Sequence, residues 1–186
     1  MARLVYSAIC SLDGYVTDSD GNFDWAEPDA EVHAFVNAIA RPVGTQLLGR
    51  RTYEVMVAWD SPEEFVGDST EMQEFADLWA DADKVVYSST LEKVATRRTR
   101  LEREFDAAAV RRMKDESTRD LAIGGPTLAA LALREGLVDE CQLFLCPVVV
   151  GGGVAVWPDD LRARLELVEA RTFDSGVVFL RHLVSN

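Results

Sequence analysis

The stretch Asp120-Leu121-Ala122-Ile123-Gly124-Gly125-Pro126-Thr127-Leu128 indicates how the chain folds. Its apolar start is too short for a helix and suits a buried strand. Two glycines then permit a sharp turn or the close approach of a ligand, and proline is favoured at the first position of the helix that follows. That helix start would present backbone N–H groups that suit phosphate. A tight strand-to-helix turn without a ligand explains the segment equally well.

Length, composition and charge narrow the classes of protein that need be considered. The 186 residues, 48% of them hydrophobic and undivided by a linker, predict a single domain over residues 1–186. The net charge of −13 argues against a nucleic-acid partner. The longest apolar run, 143–150, is far short of a membrane span, and the first residues lack the pattern of a signal peptide. The sequence therefore predicts a cytoplasmic protein with no membrane partner.

No metal site is predicted. The three cysteines, Cys10, Cys141 and Cys146, lie in apolar surroundings without metal-ligand spacing and are interpreted as core residues of a reducing compartment. The acidic run 18–24 invites comparison with a calcium loop. However, Phe23 occupies the position that needs glycine, and Asp29 stands where a bidentate glutamate belongs. An acidic surface loop is the better interpretation.

Strands and helices alternate along most of the chain. The hydrophobic pattern predicts strands at 4–10, 45–48, 84–87, 121–123 and 139–150, and helices at 31–40, 70–79, 106–116 and 126–135, the last ended by Gly136. Thr70 and Gln73 are a possible capping box. Two further strands, 166–172 and 177–184, are joined by a turn at 173–176. This order predicts an α/β fold with a mixed, mostly parallel central sheet, helices on both faces and a C-terminal antiparallel hairpin.

Three predicted strand ends carry groups that can hold phosphate. At the first, Arg50 and Arg51 follow Gly49 at a helix start, where cations are unfavourable unless an anion binds. At the second, the hydroxyl run 88–90 can either cap a turn or bind phosphate. The third is the double glycine of the opening stretch. Because ligands of open α/β sheets bind outside the carboxyl ends of the strands, we expect a dinucleotide there, although no Gly-x-Gly-x-x-Gly fingerprint is present.

Several motifs, taken in order, resemble those of the dihydrofolate reductase-like superfamily. They are Gly49-Arg50-Arg51-Thr52-Tyr53-Glu54, Ser88-Ser89 and Ile123-Gly124-Gly125-Pro126-Thr127-Leu128. Three others resemble one branch, the reductase domain of the bifunctional riboflavin-biosynthesis deaminase-reductase and its stand-alone relatives. These are Ser11-Leu12-Asp13-Gly14, Gly136-Leu137-Val138-Asp139-Glu140 and Pro147-Val148-Val149-Val150-Gly151-Gly152-Gly153. The resemblance covers nearly the whole chain and implies the three-layer fold of that superfamily.

The resemblance also implies NADPH as the cofactor and a set of residues that bind it. Residues beside its phosphates would be Gly49, Arg50, Arg51 and Thr52, with Ser88 and Ser89 near the adenosine phosphate. The pyrophosphate would lie against Gly124 and Gly125, above the helix begun by Pro126, Thr127 and Leu128. The backbone at Ala8 and Tyr15 would border the nicotinamide. Guanidinium and hydroxyl groups together favour the extra phosphate of NADPH over NADH.

The substrate side is less defined by the sequence. By resemblance to folate reductases, Glu31 lies about where a catalytic carboxylate meets the pterin, although the spacing of the preceding loop differs by one residue. Asp13 is a second candidate, and for both a solvated loop or helix-end role is an alternative. The leading hypothesis is an NADPH-dependent reductase of a small heterocyclic substrate, either pterin-like or a ribosylaminopyrimidine phosphate. A true dihydrofolate reductase and a non-catalytic NADPH-binding protein are the alternatives, and relatives suggest a homodimer.

Overall fold

Strands and helices alternate in the computed structural model, which describes residues 1–185. The strands are β1 (Leu4–Ser11), β2 (Tyr15–Thr17), β3 (Val43–Gly49), β4 (Asp83–Tyr87), β5 (Thr99–Glu102), β6 (Asp120–Gly124), β7 (Glu140–Cys146), β8 (Val154–Ala155), β9 (Arg164–Thr172) and β10 (Val178–Ser185). The helices are α1 (Ala30–Ala40), α2 (Arg50–Met56), α3 (Thr70–Asp81), α4 (Ala107–Glu116) and α5 (Pro126–Arg134).

Eight of these strands form the central sheet, in the order β5-β4-β3-β6-β1-β7-β10-β9. The first six run parallel to one another, β10 runs antiparallel to β7, and β9 closes the edge as the other arm of the terminal hairpin. The expected mixed, mostly parallel sheet with a C-terminal hairpin is therefore confirmed. A small antiparallel pair, β2 with β8, was not predicted.

Helices cover both faces of the sheet, as predicted. Because neighbouring residues of a strand point to opposite faces, Leu47 belongs to the core under α4 and α5, whereas Leu48 packs with Tyr53 of α2 and Trp79 of α3. Helix α1 covers the same face as α3 and packs Val32 against a group of aromatic rings, Phe144, Phe173 and Phe179. The result is three layers, with α1, α2 and α3 on one side and α4 and α5 on the other.

Two predicted elements are wrong in detail. The strand predicted at 139–150 ends at Cys146, because Pro147 has no N–H to donate to a neighbouring strand. The chain then leaves the sheet, and Val148 O accepts a hydrogen bond from Leu12 N (2.8 Å). The cap of α3 is Ser69, whose hydroxyl accepts from Met72 N (3.2 Å), while Thr70 is the first helical residue. Within residues 1–185 no helix is long and apolar enough to cross a membrane.

Candidate functional site

A crevice opens between the carboxyl ends of the neighbouring strands β1 and β6. The chain leaves β1 towards α1 on one face of the sheet and leaves β6 through α5 on the other, which makes this pair the switch point at which open α/β sheets bind ligands. The register of this pair ends at Tyr6 with Ile123, although β1 continues to Ser11. The backbone of Ala8 therefore borders the crevice on the side where Gly124 and Gly125 leave the sheet.

Gly124 and Gly125 make the closest approach in this region. A Cβ atom on Gly125 would lie 2.6 Å from Oγ1 of Thr52, and one on Gly124 would lie 3.3 Å from Cγ2 of the same residue. Gly125 also has a φ of +92°, a conformation that favours glycine. Thr52 thus lies directly against the turn that begins α5, and the junctions β3–α2 and β6–α5 form one continuous surface.

The N-termini of α2 and α5 differ from those of the other helices described. Asp29, Ser69 and Asp106 cap α1, α3 and α4 with side-chain hydrogen bonds, whereas α2 and α5 begin at Gly49 and Gly125 without any side-chain cap. The first N–H groups of α2 and α5 therefore lack the partners that such side chains supply. Two uncapped helix starts at one edge form an environment that favours an anion.

The two arginines of α2 are available at the same edge. Arg50 is exposed and its Nε lies 3.8 Å from Glu54 Oε1, an ion pair too exposed to hold the side chain firmly. Arg51 is exposed and forms no ion pair with any described residue. Both guanidinium groups can therefore turn towards a bound phosphate.

The hydroxyl run after β4 has a structural role at its first residue. Ser88 is buried, and its Oγ accepts hydrogen bonds from Thr90 N (3.2 Å) and Leu91 N (2.9 Å), so the turn-capping interpretation holds for Ser88. Ser89 is exposed at the sheet edge. Arg103 donates to Ser88 O (3.3 Å) and Leu91 O (2.6 Å) and places a third cation beside this strand end.

Asp13 holds a glycine-rich loop in place. Its carboxylate accepts hydrogen bonds from Val150 N (3.2 Å) and Gly151 N (2.8 Å), and the hydrogen bond from Ser11 and these backbone bonds lower the pKa of Asp13. Tyr15 follows at the start of β2, where its N–H donates to Ser11 Oγ (3.0 Å). Asp13 is thus anchored to the loop after β7, and its predicted catalytic role remains a prediction.

A cleft of about 210 Å³ lies beside the crevice, on the face covered by α1. Its apolar walls include Ile9, the residue after Ala8 on β1, together with Val32, Phe144 and Val177. Trp25 also lines it, and the indole Nε1 of Trp25 is buried without a hydrogen-bond partner among the described residues. A ligand in this cleft would lie next to one bound along the edge of β1.

Two carboxylates line the cleft, but neither was predicted. They are Glu27 and Asp29, both exposed at its rim; Asp29 Oδ1 accepts from Val32 N (2.8 Å) as the cap of α1. Glu31, the predicted candidate, does not line the cleft; its oxygens accept from Arg171 (3.0 Å) and Asp174 N (3.2 Å) on the terminal hairpin. The signal that could have indicated Asp29 is its capping position before the apolar pattern of α1.

The chain matches the model of one protein family and a relative of similar length. The sequence model of a family described as RibD C-terminal domain matches residues 2–179. The uncharacterized protein YyaP of Bacillus subtilis (strain 168) is 29% identical over 180 residues, which cover 95% of this chain and 92% of YyaP.

Two solved structures share the fold. One is the diaminohydroxyphosphoribosylaminopyrimidine deaminase/5-amino-6-(5-phosphoribosylamino)uracil reductase of Thermotoga maritima, with a TM-score of 0.66, 14% identity and coverage of 99% of this chain and 57% of that chain. The other is the dihydrofolate reductase of Enterococcus faecalis complexed with NADP(H), with a TM-score of 0.65, 13% identity and coverage of 99% of this chain and 97% of that chain. At these identities the two structures establish the fold of this chain.

Proposed function

Because the chain belongs to the RibD C-terminal domain family, we propose that it is an NADPH-dependent reductase of a small heterocyclic substrate. The observation that carries this proposal is the contact of Gly125 with Thr52 between two uncapped helix starts. A side chain at either glycine would press against Thr52, beside the surface on which a pyrophosphate would lie. Bound NADPH supplies a hydride, so the chain needs no nucleophile of its own.

Each part of the proposed cofactor site has a distinct task. The N–H groups at the starts of α2 and α5 would donate to the pyrophosphate, with the hydroxyl of Thr52 beside them. Arg50 and Arg51 would pair with the additional phosphate that distinguishes NADPH from NADH. The open backbone edge of β1 at Ala8, together with Tyr15, would orient the nicotinamide towards the cleft.

The substrate would occupy the cleft, because Ile9 of its wall directly follows Ala8 on β1. The apolar walls would exclude water from the face of the ring, and the buried indole N–H of Trp25 would donate to a ring acceptor. Asp29 Oδ1 is occupied by Val32 N, which leaves Oδ2 and the carboxylate of Glu27 as the groups in this cleft that could hold a proton.

The test is titration calorimetry of the protein with NADPH and NADH, followed by NADPH oxidation in the presence of dihydropterin, dihydrofolate and ribosylaminopyrimidine substrates. We expect NADPH to bind more tightly than NADH, and the double substitution Arg50→Ala, Arg51→Ala to weaken NADPH by about a hundredfold but NADH far less, since two phosphate contacts are lost. Substitution of the adjacent arginines of α4, Arg111→Ala with Arg112→Ala, changes the net charge equally and should leave both affinities unchanged.

No uptake of either nucleotide by folded protein would refute the proposal. Uptake without oxidation of any substrate would support the non-catalytic alternative, whereas turnover of dihydrofolate alone would support a dihydrofolate reductase.

A further inference from the structure

We infer that the cleft beside Ala8 selects an unphosphorylated heterocycle, uncharged or cationic, and that Glu27 and Asp29 reject substrates that carry a phosphate. The inference rests on the proposed function and names the class of its substrate. It distinguishes this chain from a reductase such as that of Thermotoga maritima, whose name specifies a phosphoribosylamino substrate.

The charge of the cleft is the first argument. None of the described residues that line it is Lys, Arg or His, and its two ionisable carboxylates are Glu27 and Asp29. A basic side chain of the terminal hairpin, Arg171, has its guanidinium 4.8 Å from the ring centres of Phe35 and Phe173 and donates to Glu31 (3.0 Å). Since Phe35 and Phe173 do not line the cleft, Arg171 contacts the rings that support it and has its charge already paired.

The size of the cleft is the second argument. At about 210 Å³ it is smaller than the roughly 300 to 1,000 Å³ of most ligand pockets, so it suits a single compact ring system. A sugar phosphate attached to that ring would extend past the rim, where Glu27 and Asp29 are exposed. Two carboxylates facing a phosphate repel it, because like charges brought together without a counter-ion are strongly unfavourable.

The contrast with the cofactor edge is the third argument. Arg50, Arg51 and Arg103 lie at the ends of β3 and β5, where the proposed NADPH phosphates would be, and Arg50 and Arg51 are exposed. The chain thus places cations where it would bind phosphate and carboxylates where the substrate ring would enter. With a net charge of −13, this separation keeps anionic compounds out of the cleft.

The experiment compares two ligands that differ only in a phosphate, 5-amino-6-(ribosylamino)uracil and its phosphorylated form, the substrate that the name of the Thermotoga maritima enzyme specifies. Each is titrated calorimetrically into protein already saturated with NADP⁺, which has no hydride to transfer, so the heats report binding alone. We expect the unphosphorylated compound to bind about tenfold more tightly or better, and the difference to shrink at high salt. Equal binding, preference for the phosphorylated compound, or binding of neither would overturn the inference. Failure of NADPH itself to bind, seen in the first titration, would instead refute the proposed function.

Variants locate the discrimination in the two carboxylates. Glu27→Gln with Asp29→Asn should remove most of the difference in affinity between the two ligands, because both negative charges are lost. Asparagine at position 29 can still cap α1, so the fold should be retained. Glu27→Gln alone should reduce the affinity difference in part, and it leaves the Asp29 cap of α1 unchanged. The control, Glu63→Gln with Glu64→Gln, removes the same charge from an exposed turn outside the cleft and should leave the difference unchanged. A difference that survives in the double variant would overturn the assignment to Glu27 and Asp29.

Discussion

Gly125 and Thr52 lie so close that a Cβ atom on the glycine would come within 2.6 Å of the threonine hydroxyl oxygen. The two residues belong to different strand-to-helix junctions, yet they are brought together because β3 and β6 are neighbours in register, with Leu48 beside Gly124. The proposed cofactor site therefore depends on the absence of a side chain at one position and on the place of the hydroxyl at the other.

Gly125→Ala should weaken NADPH binding by about tenfold or more and destabilise the fold by about 1–3 kcal/mol, since the new methyl group displaces Thr52 and φ is unfavourable for alanine. Calorimetry and urea unfolding measure the two effects. Gly67→Ala is the control, because Gly67 also has a positive φ (+55°) but nothing within 4 Å. NADPH affinity that stays unchanged in Gly125→Ala would contradict the assigned site.

Asp13→Ala should loosen the loop after β7. Removal of the carboxylate leaves Val150 N and Gly151 N without their acceptor, so hydrogen exchange at these two amides should accelerate by about tenfold or more, while global stability should fall only slightly. Hydrogen-exchange mass spectrometry checks this expectation. Asp20→Ala, which alters an exposed carboxylate of the neighbouring loop, should have no such effect. If exchange at 150 and 151 were unaffected, the anchoring role of Asp13 would be wrong.

Tyr53→Phe should destabilise the protein by about 1–3 kcal/mol in urea unfolding. The phenolic oxygen of Tyr53 is buried and accepts from Ala95 N (2.8 Å) and Thr96 N (3.1 Å), and phenylalanine would leave both amides without a partner. Tyr87→Phe removes a hydroxyl for which no hydrogen bond is formed with the described residues, and it should change stability much less. Similar losses for both variants would show that volume or burial, and not the hydrogen bonds, is responsible.

Alkaline pH should destabilise the protein through its buried thiols. Burial raises the pKa of Cys10 from 9.0 to about 11 and that of Cys141 to about 12. A thiol whose pKa is raised on folding makes its full contribution to the free energy of unfolding at pH values below its unfolded pKa. This contribution is lost as the pH rises through the folded pKa. The free energy of unfolding should therefore fall above about pH 9.

The same thiols supply an independent readout of that behaviour. A disulfide reagent at neutral pH should leave Cys10 and Cys141 unlabelled in folded protein and label them after unfolding in urea, since both are buried and free, whereas Cys146 lines the cleft. Rapid labelling of Cys10 or Cys141 in the folded protein at neutral pH would contradict the burial that raises their pKa values.

The expected homodimer remains a prediction, and the structure supplies a surface on which to test it. β9 pairs only with β10 in the described chain, and its exposed side chains Leu165, Leu167 and Val168 are unusual for a free edge strand. We expect light scattering to give the mass of two chains, and Leu165→Lys with Leu167→Lys to give that of one. Leu131→Lys, which changes an exposed leucine of α5, should leave the mass unchanged. A wild-type protein that is monomeric at high concentration would refute the prediction.

The fold was predictable from sequence because local signals determine it. The double glycine before Pro126 marks a strand-to-helix junction wherever it lies in the chain, and the alternation of strands with helices requires parallel pairing. The small pair of β2 with β8 was not predictable, because a strand of three residues has no periodicity to detect.

The substrate side depended on contacts between distant residues, which a single sequence does not reveal. Glu31 looked suitable from its position at the start of α1, but the terminal hairpin, some 140 residues later, occupies its carboxylate through Arg171. Asp29, two residues earlier, lines the cleft instead. The direction of a side chain at a helix start depends on the loop before it, and that loop has no regular pattern.

The departure of the chain from β1 and β6 to opposite faces has an evolutionary consequence. The residues that would bind a dinucleotide lie in two short segments, 49–52 and 124–128. The walls of the cleft come mainly from 25–29 and from the hairpin turn around Ser175. Mutations that accumulate in the second group leave the first untouched. Under the proposed function, a lineage built on this scaffold could therefore exchange one reducible compound for another while its source of electrons stayed constant.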